Sequence, residues 1–483
     1  MRKWIAILGL ICCSGAWAQT EVSGNVSGSW DVSGNPYLVV GDLTVPGSQF
    51  LNVNPGVEIR FMGNYKMTVN GGLNVIGTST DSVKFIYNPE QSGRWKYIEF
   101  NNALPGANQL SYCLIETAER AVYVISSSVS LQYCLIQDHT SSPVKGQNAQ
   151  ITMVSCVVTN NQQSGLALQN TSINLQDCWI TYNSGLNGHG INASNGGNLQ
   201  ISGGYIGNNV GTGIYGLEIG TVTLNYVEIA QNSHEGISLT NSGELTAIRV
   251  CVHDNLNDGI FLSLTSMDAR NLTISSNEEY GIFCSNATLT LSSSIVDRNG
   301  NWGIYCQSAT SFVSYNNVYD NDAGSYSGCT PGTGSIEEDP SYVSYTNRDF
   351  NLSSDSPCID TGSIYDPLDP DGTRTDMGAF YYNQTPVKPE NGAATARSFE
   401  ISRLYPNPFN PLLKLTIQAI KPQSAVLSAW SADGRRIATI WGGILHPGGN
   451  EIAWNAQDLP SALYLIQLEA DGVTSTVRCV LLK

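Results

Sequence analysis

The sequence predicts an all-β chain: a solenoid of stacked 22- or 23-residue coils, followed by a small β-sandwich. Three observations predict the solenoid. The first is a recurring Gly-Ile pair, at Gly190-Ile191, Gly213-Ile214, Gly236-Ile237, Gly259-Ile260, Gly281-Ile282 and Gly303-Ile304, opened by Gly165-Leu166. Spacings of 23, 23, 23, 22 and 22 residues, with no helical pattern inside them, mark one unit stacked on copies of itself. The second is a β-branched column, running from Ile115 and Ile136 through Ile229, Val252 and Ile274 to Val318. Two positions earlier stand Cys113, Cys134, Cys156 and Cys178, then Val227, Val250 and Leu272. Residues two apart share one face of a strand, so both columns point inward. The third is an Asn column at Asn161, Asn183, Asn209, Asn232, Asn255, Asn277, Asn299 and Asn321. Asn tolerates tight turns, and its amide can bond to backbone or to its copy one rung away.

These coils resemble the right-handed parallel β-helix of bacterial surface and polysaccharide-active proteins, the pectin-lyase-like group, most clearly over residues 101–325. An ordinary sandwich would not hold this register over so many copies. Residues 19–100 read as an N-terminal cap and first coils, with short strands at Leu38-Val40, Leu43-Val45, Val57-Ile59 and Met67-Val69. The phrase Val53-Asn54-Pro55-Gly56-Val57 resembles the opening coils of secreted β-helix proteins. In residues 326–384 the period fails and Asp, Pro and Gly accumulate, resembling the closing segment of the same group. Residues 385–398, with Pro386, Pro389 and several Ala, read as a linker.

Residues 399–483 form a separate module. Tyr405-Pro406-Asn407-Pro408-Phe409-Asn410-Pro411 opens it, alternating strands follow, and Asp433-Gly434 signals a turn. With Gly448-Gly449-Asn450 before Trp454 and a final Leu481-Leu482-Lys483, it resembles the C-terminal sorting domain of the type IX secretion system, an immunoglobulin-like β-sandwich. Ala462 stands where that family usually has Gly. The resemblance implies the type IX machinery as a partner; the alternative is a plain binding sandwich.

Residues 1–18 read as a secretory signal peptide. Arg2-Lys3 gives the basic start, Trp4 to Cys13 the apolar run, and Ala16-Trp17-Ala18 the cleavage site. Cys12 and Cys13 suggest a lipoprotein signal, but Ile11 sits where a small residue is usual. No later run is long enough to span a bilayer. The expected location is secreted or on the outer-membrane cell surface. A formal net charge of −17 argues against nucleic acid as a partner.

Ten of the 12 cysteines follow the leader. Most read as inward packing residues; Cys329 and Cys358 bracket an irregular segment and are a candidate disulfide. The best carboxylate group spans three rungs, with Asp254, Asp258, Glu279 and Asp297 as catalytic candidates; the alternative is a solvated acidic surface. Asp366, Asp369, Asp371 and Asp376 around Gly372 are oxygen ligands at short spacing, suiting Ca²⁺, although Asp-Pro-Asp-Gly is also common turn chemistry.

If Ile at Gly+1 faces inward, Gly+2 faces out, and it reads Tyr215, Ser238, Phe261, Phe283, Tyr305, with Trp302 nearby. A second outward column reads Leu114, Leu135, Val157, Trp179, Tyr205. Such stripes are binding surfaces for sugar rings, rung-to-rung stacks, or faces covered by other parts of the chain. The reading that follows is an exported protein that binds glycan or acts as an adhesive scaffold, without catalysis. Its alternatives are a polysaccharide lyase or glycoside hydrolase, and a self-associating structural protein.

Overall fold

The computed structural model describes residues 19–384 and 399–481, apart from 406, 408, 432–434, 461, 471 and 472. The expected leader, the linker, the Asp433-Gly434 turn and the terminal Leu482-Lys483 therefore lie outside the described residues. A sheet of 37 strands, paired in parallel, winds into a solenoid of about 14 turns. Each regular turn has three short strands, which define faces A, B and C. One turn runs Ile260–Ser263 on face A, Met267–Arg270 on face B and Thr273–Ser275 on face C. The next repeats this at Ile282–Ser285, Thr288–Ser292 and Ile295–Asp297. Among the described residues the helical elements are two 3₁₀ turns.

The strands of these regular turns are short because a left-handed residue ends each one. Leu264, Asn271 and Ser276 turn the corners of one coil, and Asn286, Ser293 and Arg298 those of the next, all at φ between 48° and 59°. Asn and Ser suit that conformation; Leu and Arg adopt it at a cost. The Asn column does not occupy these corners. The residue before it does, as Asp254 precedes Asn255 and Arg298 precedes Asn299.

The Asn side chains are buried and form a ladder instead. Each Nδ2 donates to the Oδ1 one rung on: Asn232 to Asn255 at 3.0 Å, Asn255 to Asn277 at 2.9 Å, Asn277 to Asn299 at 2.9 Å and Asn299 to Asn321 at 2.8 Å. The same oxygens also accept the backbone N–H of the preceding Asn. This satisfies polar groups that would otherwise be orphaned inside the coil. It also accounts for the repeated Gly. A Cβ on Gly259 would sit 2.8 Å from Asn277 Nδ2 and 2.7 Å from Gly281 O. The glycine is there for close approach, its φ being ordinary.

The two β-branched and Cys columns fill the interior. Ile229, Val252, Ile274 and Val296 are fully buried, as are Ile237, Ile260, Ile282 and Ile304. Cys113, Cys134, Cys156 and Cys178 are buried free thiols in the same core. The Cys329–Cys358 disulfide is not formed. Cys329 lies against the solenoid core, near Ile304 O, whereas Cys358 is buried in the closing segment, accepting a bond from Asn317 Nδ2. The two segments fold onto different sides of the last coil.

That closing segment carries a small antiparallel pair, Tyr342–Ser344 with Asp349–Leu352, and then runs back over earlier coils. The C-terminal module is two antiparallel sheets packed as a sandwich. One contains Phe399–Tyr405, Leu412–Ala419 and Gly448–Asn455; the other contains Gln423–Ser431, Arg436–Leu445, Ala462–Ala470 and Val473–Leu481. Alternation along the strands buries Leu413, Leu415 and Ile417 against Leu427, Ile466 and Leu468.

Candidate functional site

The two outward columns read from the sequence have different fates. On face C, strand pairing aligns Leu114, Leu135, Val157, Trp179 and Tyr205, and continues through Glu228 to Cys251, Thr273 and Ile295. Val480 of the sandwich packs on Leu135, Val157 and Trp179, and Arg478 reaches Asp177 at 3.5 Å. Further along, Phe350 and Ala379 cover Cys251, and Met377 and Leu352 cover Ile295. The tail of the chain covers two stretches of face C, Leu135 to Trp179 and Cys251 to Ile295, with Glu228 exposed between them.

Face A is open. Its outward column aligns Glu99, Tyr123, Lys145, Ala167, Asn192, Tyr215, Ser238, Phe261, Phe283 and Tyr305. Phe261 and Phe283 stack with centroids 5.1 Å apart and planes 16° apart; Phe283 and Tyr305 stack at 5.2 Å and 25°. Tyr280 leans edge-on to Phe283 at 5.4 Å. All four are half-buried, so one side of the ladder faces solvent. Tyr215 stands apart, beyond the small Ser238, and stacks on His189 at 5.0 Å. Trp302 is not a rung of this ladder; its ring lies against Gly324.

The four candidate carboxylates do not converge. Asp254 and Asp297 lie under the closing segment. Asp254 pairs with Arg348 at 2.5 Å and with His253 at 2.7 Å, and His253 also meets Glu228 at 3.1 Å. Asp297 is fully buried, bonded to Arg298 and to Tyr342 Oη at 3.0 Å. Burial raises its carboxyl to about 6, against the opposing pull of Arg298 and Tyr342. These groups fasten the tail to the solenoid.

Asp258 and Glu279 sit at the corner leading into face A. Glu279 is exposed and accepts from Asn301 Nδ2 at 3.1 Å. Asp258 is buried and accepts the Tyr280 N–H at 3.1 Å. Burial, with repulsion from Glu235 and Glu279, pushes it up to about 7. Glu235, one rung away, is bonded to Thr212 and Asn257.

The candidate calcium ligands do not turn their oxygens to a common point, although Asp369 also accepts the Asp376 N–H. Asp369 pairs with Arg249 at 2.5 Å, Asp366 accepts from Ser292 and Ser293, Asp371 from Thr373, and Asp376 from the Asp360 and Tyr382 N–H groups. Their oxygens are engaged in separate turns and tail contacts. Among the described residues no three His, Cys, Asp or Glu side chains group as metal ligands. Within the same limits, no helix is long and apolar enough to cross a membrane.

Face A has a second cluster that the Gly-Ile series did not reveal, because Ala121 and Pro143 stand where the later coils have Gly. Tyr97 and Tyr123 pack edge-to-face at 6.1 Å, with Arg120 near both rings and Lys145 4.9 Å from Tyr123. Extending the outward column to earlier coils would have found it.

An uninterrupted parallel sheet coiled about an inward ladder defines a β-solenoid protein. The chain belongs to the family described as right-handed β-helix region, whose model matches residues 42–203, 184–286 and 206–336. Among solved structures it is similar to a pectate lyase, Pel9A, at 15% identity, covering 68% of this chain and 89% of that one, with a TM-score of 0.36. It is also similar to the A-module of the Azotobacter vinelandii mannuronan C-5 epimerase AlgE6, at 13% identity, covering 66% and 92%, with a TM-score of 0.36. The periplasmic alginate epimerase AlgG follows at 13% identity, 62% and 74% coverage, and a TM-score of 0.32. No match was found among curated proteins.

Proposed function

We propose that this is an exported carbohydrate-binding protein that holds a glycan along face A. The carrying observation is the half-exposed Phe261–Phe283–Tyr305 ladder, on a face with no cover among the described residues. Strand spacing sets the rings about 4.8 Å apart along the axis. The solvent-facing edges of such a row form an apolar ridge that suits the C–H faces of successive sugars, and the mutual stacking of the ring faces fixes the rings without a ligand. The leader at residues 1–18 and the sorting sandwich at 399–483 account for export by the type IX route, to the cell surface or the medium. A mature-mass comparison between envelope and medium tests that part. On a glycan array, Phe283→Ala and Tyr305→Ala each weaken the positive signals about tenfold or more, the loss of one or two aromatic contacts. Unchanged array binding in both variants sinks the reading.

A second reading, a glycoside hydrolase or lyase, draws on Asp258. A carboxyl held near 7 one rung from Glu235 has the pairing that acid–base cleavage uses. Among the described residues no loops wall a cleft around it, and the open aromatic ladder makes binding without turnover the favoured reading. Depolymerisation of a polysaccharide that Asp258→Asn abolishes would reverse that order.

A further inference from the structure

The positive charge of this chain is unevenly placed. Against a net charge of −17, no Lys or Arg occurs from residue 146 to residue 248. The basic residues of face A are confined to its first coils. There, Lys66 is neutralised by Glu99 at 2.7 Å. Arg120 and Lys145 are different: among the described residues, neither has a carboxylate at ion-pair distance, and Glu119 acts on Arg120 only at longer range. Neutral groups hold Arg120 in place, its Nε donating to Ser142 O at 3.1 Å and its Nη2 to Ser141 Oγ at 2.8 Å. Its guanidinium carbon lies 5.8 Å from the Tyr97 ring and 5.5 Å from the Tyr123 ring, while Lys145 Nζ lies 4.9 Å from Tyr123.

Two cations therefore share one aromatic ring and lack a counter-ion. Burial, reinforced by Arg120, holds the Lys145 ammonium below its usual value. Both cations are partly desolvated and repel each other, and an anion placed between them relieves both effects. Arg supplies a planar fork that matches an oxyanion, and Lys a point charge beside it. Resting on the carbohydrate reading above, we propose that Arg120 and Lys145 form a site for an anionic substituent of the bound glycan, a carboxylate or a sulfate ester.

The site lies on the ligand track. Tyr123 and Lys145 belong to the outward column that later carries Tyr215, Phe261, Phe283 and Tyr305. Three rungs separate Lys145 from Tyr215, about 14 Å at ordinary strand spacing. The rungs between carry only Ala167 and Asn192. The ladder begins two rungs beyond Tyr215, past Ser238, so one extended chain of about 24 Å reaches both clusters. The face divides the labour: rings are recognised at one end and charge at the other.

The test uses the full chain and calorimetry with three probes: an oligouronate, a sulfated oligosaccharide, and the same oligouronate with its carboxyls reduced. At about 50 mM salt at least one charged probe binds about tenfold tighter than the reduced one, and most of that advantage is lost at about 500 mM. The double variant Arg120→Gln/Lys145→Gln lowers the advantage below about twofold, leaves affinity for the reduced probe unchanged, and melts at the wild-type temperature. Which charged probe wins tells carboxylate from sulfate. Retention of the tenfold preference in the double variant overturns the site. If wild type binds the reduced probe as tightly as both charged ones, the anion site fails and the carbohydrate reading stands. If it binds no probe, both fall. Phe283→Ala weakens charged and reduced probes alike, which separates the two clusters.

Discussion

Faces A and C are made from the same coils, in unbroken parallel register, with similar outward apolar columns. One is hidden and the other is not. Val480, Phe350, Met377 and Ala379 cover successive parts of face C, while the Phe261–Phe283–Tyr305 ladder on face A has no cover among the described residues. The contrast teaches that an exposed stripe on a repeat protein has no meaning by itself. Its meaning depends on what the non-repeating parts of the chain do with it. Titratable groups follow the same division: Asp254, Asp297 and His253 are fastenings under the tail, whereas Asp258, Arg120 and Lys145 border the free face.

The largest expected contrast comes from one truncation on each face. Asp297→Ala on the covered face leaves Tyr342 Oη and part of Arg298 without a partner in a buried seam, a loss of about 3 kcal/mol. Phe283→Ala on the open face loses stacking on one side only, about 1–2 kcal/mol, but removes the central rung of the ladder. Urea unfolding combined with limited proteolysis of residues 342–384 measures both. If Phe283→Ala costs as much stability as Asp297→Ala, face A is structural and the distinction between the faces breaks.

A smaller effect sharpens it through pH. Burial alone would lower His253, but its bonds to Asp254 and Glu228 outweigh burial and hold the imidazolium above its ordinary value. Stability from that group is complete below pH 6.5 and is lost as pH rises through the raised value. Asp297 is raised to about 6, so its part of the stability falls as pH rises from about 4 to about 6, by about 2–3 kcal/mol. Both signs agree: the seam under the tail loosens as pH rises from about 4 through 6 and on through the raised His253 value. Hydrogen exchange should show Tyr342–Leu352 less protected at pH 8, with His253→Gln flattening the change above pH 6.5 and the Phe261–Tyr305 strands unaffected. Equal loosening on both faces would contradict a seam confined to face C.

Much of this was legible before any coordinates. Period fixed the coil, the β-branched columns fixed the core, and the outward register of Phe261, Phe283 and Tyr305 followed from side-chain alternation. What stayed hidden was non-local. Asp254 and Asp297 looked like neighbours of Asp258, since sequence spacing cannot show that Arg348 and Tyr342, 94 and 45 residues further on, fold back onto them. The same applies to Cys329 and Cys358, which bracket a segment that turns away between them. The Arg120–Lys145 cluster was missed for a local reason, since Ala121 and Pro143 break the Gly-Ile phrase that served as the guide.

The corners were illegible too, and they offer the finest test. Leu264 turns the corner after the face A strand Ile260–Ser263 at φ 54°, with its side chain exposed. A β-solenoid fixes that conformation by its register, and Leu gains no packing in return. Its equivalents in the coils before and after are Asn241 and Asn286, residues that adopt the left-handed region readily. Leu264→Asn should therefore stabilise the fold by about 0.5–1 kcal/mol, read as a small upward shift in thermal midpoint. The corner lies beside Phe261 in sequence but outside the outward column, so glycan affinity should not move. A change in affinity would mean that the binding surface wraps past face A onto the corner, and the boundary between the open face and its surroundings would have to be redrawn.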